Sequence, residues 1–158
     1  MKQASFLSIL LSLLINLSFA QSKPQMRDGV VFDEQGNLFS GTALLEVTTD
    51  GITHRQSIQA KEGLLDGVII FYHPSGYAEE KGNYKMGKKD GQWTQYSAAG
   101  NVLGEAYYKD GMKDGIWTVW DEQGIKRYHM VYSMGKKVDT WKMWDEHATL
   151  VSERFYNE

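Results

Sequence analysis

Apolar and polar positions alternate along this chain in short bursts, and the bursts recur on a fixed grid. Residues 91–96 read Gly-Gln-Trp-Thr-Gln-Tyr, and residues 102–108 read Val-Leu-Gly-Glu-Ala-Tyr-Tyr. Both are short, rich in aromatic and β-branched residues, and alternate with the period of a strand. Between them Ser97-Ala98-Ala99-Gly100 supplies a turn, and Lys109 to Gly115 forms a polar, glycine-containing connector. Two such segments joined by a short glycine-containing loop predict a β-hairpin. No window of 18 residues carries a helical period, and the frequent glycines would break one.

The hairpin is one unit of a 24-residue repeat. Gly63, Gly87, Gly111 and Gly135 keep that spacing, as do Gly67, Gly91 and Gly115, and again Gly76, Gly100 and Gly124. Tyr72, Tyr96, Trp120 and Trp144 form one aromatic column, and Tyr84, Tyr108, Tyr132 and Tyr156 a second. Trp93, Trp117 and Trp141 form a third, with Ile69 in the first unit. The clear units are 63–86, 87–110, 111–134 and 135–158. The last departs from the pattern, with Val138-Asp139 for the Asp-Gly pair and Ala148 for the turn glycine, as terminal repeats do. Upstream the repeat is degenerate over 26–62. Val31-Phe32-Asp33-Glu34-Gln35-Gly36 echoes Val119 to Gly124 in a partial unit at 26–40, and 41–62 is an irregular unit. No linker or second domain interrupts residues 21–158.

Alternation assigns faces. Trp93, Trp117 and Trp141 share one side of the first strand of each unit, and Tyr96, Trp120 and Trp144 the other. Aromatics on both faces argue against a sandwich with one polar face. The expectation is an all-β, elongated single-layer antiparallel meander of hairpins, each packed mainly on the next. About ten strands at ~4.8 Å would span ~45 Å.

Composition narrows the class. The chain has 158 residues, 16 Gly, 2 Pro and 20 aromatics, so one ordinary domain fits and disorder does not. It has no Cys, which excludes disulfides, thiolate zinc sites and a thiol nucleophile. A formal charge of -3 argues against a partner of nucleic acid. Lys2, the apolar run Phe6–Leu17 and Ser18-Phe19-Ala20 form a secretory leader at 1–20, with cleavage expected after Ala20 and export to the periplasm or outside. The apolar run is shorter than the ~20 residues a membrane span needs.

Residues 82–93 read G-x-Y-x-x-G-x-x-x-G-x-W, and 106–117 and 130–141 repeat it more loosely. This pattern resembles the MORN repeat in its bacterial antitoxin-like (YwqK-type) variant, over at least 63–158. The resemblance implies an elongated sheet of successive hairpins and a binding or scaffolding role without catalysis, with protein or anionic-lipid partners. An antitoxin or immunity-like role is also implied by the family.

The residues offer little catalytic chemistry. His54, His73, His129 and His147 show no HxxxH or HxH spacing, and the nucleophile elbow G-x-S-x-G is absent beside Asp145 and His147. Asp66, Asp90 and Asp114 recur beside glycines, one per unit, which suits turns better than calcium. No enzyme activity, metal or cofactor is therefore expected. Lys85, Lys88, Lys89, Lys109, Lys113, Lys136 and Lys137 lie in the connectors and would line one basic edge. The candidate binding surface is the set Trp93, Trp117, Trp141, Tyr96, Trp120 and Trp144, read as exposed columns. The expected partner is a protein or a cell-envelope component. The alternatives are a glycan, as in a carbohydrate-binding module, or anionic lipid, and the chain is expected to be a monomer.

Overall fold

Glycine punctuation and short aromatic runs produce strands and nothing else. A computed structural model describes residues 23–157; the leader read at 1–20 lies outside them. Among the described residues every regular element is a strand. In chain order they are β1 (Gln25–Arg27), β2 (Val30–Phe32), β3 (Gly41–Thr49), β4 (Ile52–Lys61), β5 (Leu64–Leu65), β6 (Gly67–Tyr72), β7 (Ala78–Lys85) and β8 (Lys88–Lys89). They continue with β9 (Gly91–Tyr96), β10 (Val102–Lys109), β11 (Met112–Lys113), β12 (Gly115–Trp120), β13 (Lys126–Ser133), β14 (Lys136–Trp144) and β15 (Leu150–Tyr156).

The fold is the expected antiparallel meander. Thirteen strands form one open sheet, in which β3, β4, β6, β7, β9, β10, β12, β13, β14 and β15 follow one another without a crossover. The two-residue strands β5, β8 and β11 pair back onto β4, β7 and β10. These short strands resolve the connectors. Lys85 pairs with Lys88 and Lys109 with Met112, so only two residues make each loop. Both have positive φ: 47° and 76° at Met86-Gly87, and 50° and 84° at Asp110-Gly111. That is the tight hairpin turn whose twist matches the strands, and its second residue favours glycine.

At the opposite edge each unit turns differently. The amide of the first turn residue donates to the carbonyl four residues on, as from Ser97 to Asn101, Asp121 to Ile125 and Asp145 to Thr149. The side chain of that first residue caps the loop. Asp121 Oδ1 accepts from the amides of Gln123 and Ile125, and Asp145 Oδ1 from those of His147 and Thr149. Asp33 does the same for Gln35 and Asn37, so the echo seen in the degenerate N-terminal unit is an echo of turn chemistry.

One feature departs from a purely single-layer sheet. β1 and β2 form a separate two-stranded hairpin. It packs on the main sheet, where Val31 joins Leu45, Ile58, Ala60, Leu65, Ile69 and Trp93 in the buried core. Met26 and Phe39 pack beside them. Thin sheets have no interior of their own, so the N-terminal end gains one from this lid.

Candidate binding surface

The two aromatic columns of the first strands end up in different physical states. On one face Tyr84, Trp93, Tyr108, Trp117, Tyr132, Trp141 and Tyr156 form a continuous ladder. Successive ring centroids are 5.4, 6.1, 5.2, 5.5, 5.1 and 5.0 Å apart, in edge-on or tilted geometry. Each such pair contributes ~0.5–1.5 kcal/mol beyond its buried area. The indole N–H groups are consumed as well. Trp93 donates to the Asn83 carbonyl, Trp117 to that of Tyr107 and Trp141 to that of Val131, at 3.2, 3.1 and 3.0 Å. Trp93 is the deepest, at 2% exposure, because Gly82 leaves room beneath it: a Cβ there would lie 2.1 Å from the ring. Trp117 and Trp141 are half-buried. The expected exposed ridge of Trp93, Trp117 and Trp141 is thus a packed ladder, since the sheet has few other apolar groups to fill that face.

Three of the seven connector lysines belong to the same ladder. Lys89 Nζ sits 3.6 Å from the Trp93 centroid and 5.1 Å from that of Tyr108. Lys113 lies 4.1 Å from Trp117 and 4.8 Å from Tyr132, and Lys137 lies 4.5 Å from Trp141 and 5.4 Å from Tyr156. Cation–π contacts of this kind are worth ~0.5–2 kcal/mol, according to how far the ammonium is desolvated. Lys89 also meets Glu80 at 3.4 Å. Burial, chiefly, and the Glu80 charge push the Tyr84 phenol above its ordinary pKa, and Tyr108 is raised by the same leading cause. Lys85, Lys88, Lys109 and Lys136 remain exposed at the connectors.

The carboxylates on that edge temper its basic character. Asp66 accepts from the Met86 amide at 3.2 Å, and Asp114 from the Met134 amide at 3.0 Å. Asp90 reaches the Asp110 amide at 3.5 Å. Each bond runs from the start of a unit to the tight turn that closes it. A second link repeats beside it, in which Gly87, Gly111 and Gly135 donate to the carbonyls of Leu65, Lys89 and Lys113, each at 2.8 Å. The recurring Asp residues therefore clamp the closing turn of each unit to its start, and the glycine–carbonyl bonds join one unit to the next. Sequence reasoning gave them only a local turn, because the 20-residue step between clamp and amide is visible only once the units are stacked.

The other face carries Tyr96, Trp120 and Trp144. They are half-buried, and none belongs to an aromatic pair among the described residues. Trp120 and Trp144 donate their indole N–H to no protein group among those residues. No buried side-chain nitrogen or oxygen there lacks a partner. Neither indole N–H group is therefore fully buried. The cross-strand partners are Val102 for Tyr96, Lys126 for Trp120 and Leu150 for Trp144. Together these six residues make a strip running across the strands. Beside Trp144 lies an open depression of about 470 Å³ bounded by Gly124, Ile125, Lys126 and Ala148.

A polar row runs parallel to the strip. Glu105 pairs with Thr94 and Thr118, Thr118 with His129, His129 with Lys142, and Lys142 with Glu153. Lys142 and Glu153 form an ion pair of 3.3 Å. At the strip's margin Arg127 donates to the Trp144 carbonyl at 3.0 Å and meets Asp121 at 3.3 Å. His73 Nε2 lies 3.1 Å from the Tyr96 carbonyl.

No group of three or more histidine, aspartate or glutamate side chains suited to a metal ion occurs among the described residues. Among the described residues no helix is long and apolar enough to cross a membrane. The fold and its surfaces define an open, antiparallel β-repeat protein with one aromatic row packed and one presented. No protein-family model matches the chain, and no curated protein matches it.

Proposed function

We propose that this chain is exported and serves as a non-catalytic, monomeric scaffold that binds another protein or, as the better-supported choice, a component of the cell envelope. One observation carries the reading. The sheet carries Tyr96, Trp120 and Trp144 at unit spacing, none paired with another ring and the two indole N–H groups neither fully buried nor bonded to protein among the described residues. Aromatic side chains that are half-buried yet hold a free donor are the usual anchors of a binding surface. The MORN-like pattern of residues 82–93 supports a scaffolding role, and the leader at 1–20 supports contact with the envelope. Glu153 and Arg154 in the outer strand β15 oppose edge-to-edge pairing, which supports a monomer.

The test is co-sedimentation of the purified protein with isolated envelope fractions. Wild type is expected to pellet with them, and the Trp120→Ala and Trp144→Ala variants to stay in solution. Wild type remaining in the supernatant would overturn the reading.

A further inference from the structure

We infer that the component bound by the second aromatic row is an extended, β-linked polysaccharide lying across the strands; this rests on the binding role proposed above. Four observations converge on that class of ligand.

The first is spacing. Tyr96, Trp120 and Trp144 recur once per unit, and a unit advances the sheet by two strands. Two strand spacings make about 10 Å. That matches the disaccharide step of an extended β-linked chain, so every second sugar ring would meet an aromatic ring. The intervening rings would lie over Val102 and Lys126, the cross-strand partners of Tyr96 and Trp120.

The second is the chemistry beside the strip. A pyranose has an apolar face of C–H groups and an edge of hydroxyls. The strip offers ring faces for the former. Glu105, His129 and Lys142 in the neighbouring row, with Arg127 at the margin, offer donors and acceptors for the latter. The free N–H groups of Trp120 and Trp144 add donors within the strip itself.

The third concerns the backbone. An extended peptide binds by adding a strand to an open edge, where main-chain groups are free. Tyr96, Trp120 and Trp144 stand on the face of strands β9, β12 and β14, which are paired on both sides. Recognition there must be through side chains, as it is for sugars.

The fourth is charge. Lys126, Lys142 and Arg127 are balanced by Glu105, Asp121 and Glu153 along the same surface. An anionic lipid surface would favour an uncompensated basic patch. A mixed surface suits a neutral, hydroxyl-rich chain.

Cellohexaose and chitohexaose are the probes, titrated calorimetrically into the full chain expressed with its own leader. Binding of at least one is expected, with Trp120→Ala and Trp144→Ala each weakening it about tenfold, the order of one lost ring contact. Trp120→Phe should retain most of the affinity, and Lys88→Ala on the connector edge should change nothing. Thermal melting of each variant separates lost binding from lost fold. Where Trp120→Ala fails to fold, Trp144→Ala in the terminal unit carries the test. Hexasaccharide binding that is indifferent to the alanine substitutions that fold would overturn the inference. So would silence toward both hexasaccharides combined with envelope retention that protease treatment abolishes. That last result would leave the wider binding role standing with a protein as partner. Failure of wild type to sediment with envelope would remove both.

Discussion

Single residues in the last unit carry conformations that other units give to glycine. Ala148 takes φ 60° where Gly76, Gly100 and Gly124 take 91°, 87° and 79°. An L-residue there is strained by ~1–2 kcal/mol, and glycine restores about 0.5–1 kcal/mol of unfolded-state entropy against it. Ala148→Gly should therefore stabilise the protein by roughly 0.5–1 kcal/mol, measured by denaturant unfolding. Gly82 sets the opposite case. A methyl group at that position collides with the buried Trp93 ring, so Gly82→Ala should cost about 3 kcal/mol, the upper end for overpacking. The capping aspartates add a pH dependence. Asp33 and Asp145 are held below the ordinary carboxylate value chiefly by the amides of Asn37 and Thr149. At Asp121, partial desolvation raises the value, but the Ile125 amide and Arg127 outweigh it, so the net shift is also downward. A depressed folded pKa means stability that is fully present above about pH 4 and is lost as pH falls toward the lowered values. Asp121→Asn and Asp145→Asn should flatten the melting temperature against pH in that acidic range. Melting curves that stay parallel to wild type would contradict this.

Among elements, the join between hairpins is the informative unit. Each tight turn is tied to its predecessor by a carboxylate–amide bond and a glycine–carbonyl bond, repeated at 24-residue steps. Removing one clamp with Asp114→Ala should cost about 1 kcal/mol, as for other side-chain caps of backbone N–H groups. Hydrogen exchange should quicken at the Met134 amide and leave the distant Asn37 amide unchanged. The β-strand limits are legible in the sequence. The first strand of unit 87–110 was expected at Gly91–Tyr96 and is found there, and the second, expected at 102–108, extends one residue to Lys109. The connector was less legible. A run such as Lys109 to Gly115 reads as loop because its paired strand, β11, is only two residues long. The core lid is not legible in the sequence either, since the degenerate pattern of 26–40 resembles a weak repeat and its strands leave the main sheet.

Among the described residues, burial is deepest where the N-terminal hairpin meets β4, β6 and β9, and it falls from there toward β15. The fully buried side chains Val31, Ile58, Ile69 and Trp93 all lie in the first 93 residues, whereas β15 is exposed almost throughout. In a stack where units contact only their neighbours, stability follows this local gradient. Amide exchange by mass spectrometry should show β4 and β6 as the slowest strands and β15 as the fastest, with protection declining from β9 to β14. Uniform protection from β3 to β15 would contradict that picture.

The 24-residue spacing of glycines and aromatics determined the hairpins, their order and the all-β meander, because each unit's fold depends on local turn chemistry and on contact with the adjacent unit. Alternation put the six aromatics on two faces, but the sequence alone left undecided which row is packed and which is presented. Trp93, Trp117, Trp141, Tyr96, Trp120 and Trp144 have the same periodicity and the same kind of side chain. Only stacking the strands decides which indole finds a carbonyl one strand away and which does not. The ladder on one face is closed by tyrosines and lysines that meet it across strands, at 5.0–6.1 Å between rings and 3.6–4.5 Å from each lysine to its tryptophan. The row on the other face has no aromatic partners and a single distant cation, Lys126 Nζ at 5.9 Å from the Trp144 centroid, so most of its aromatic surface is left for a ligand.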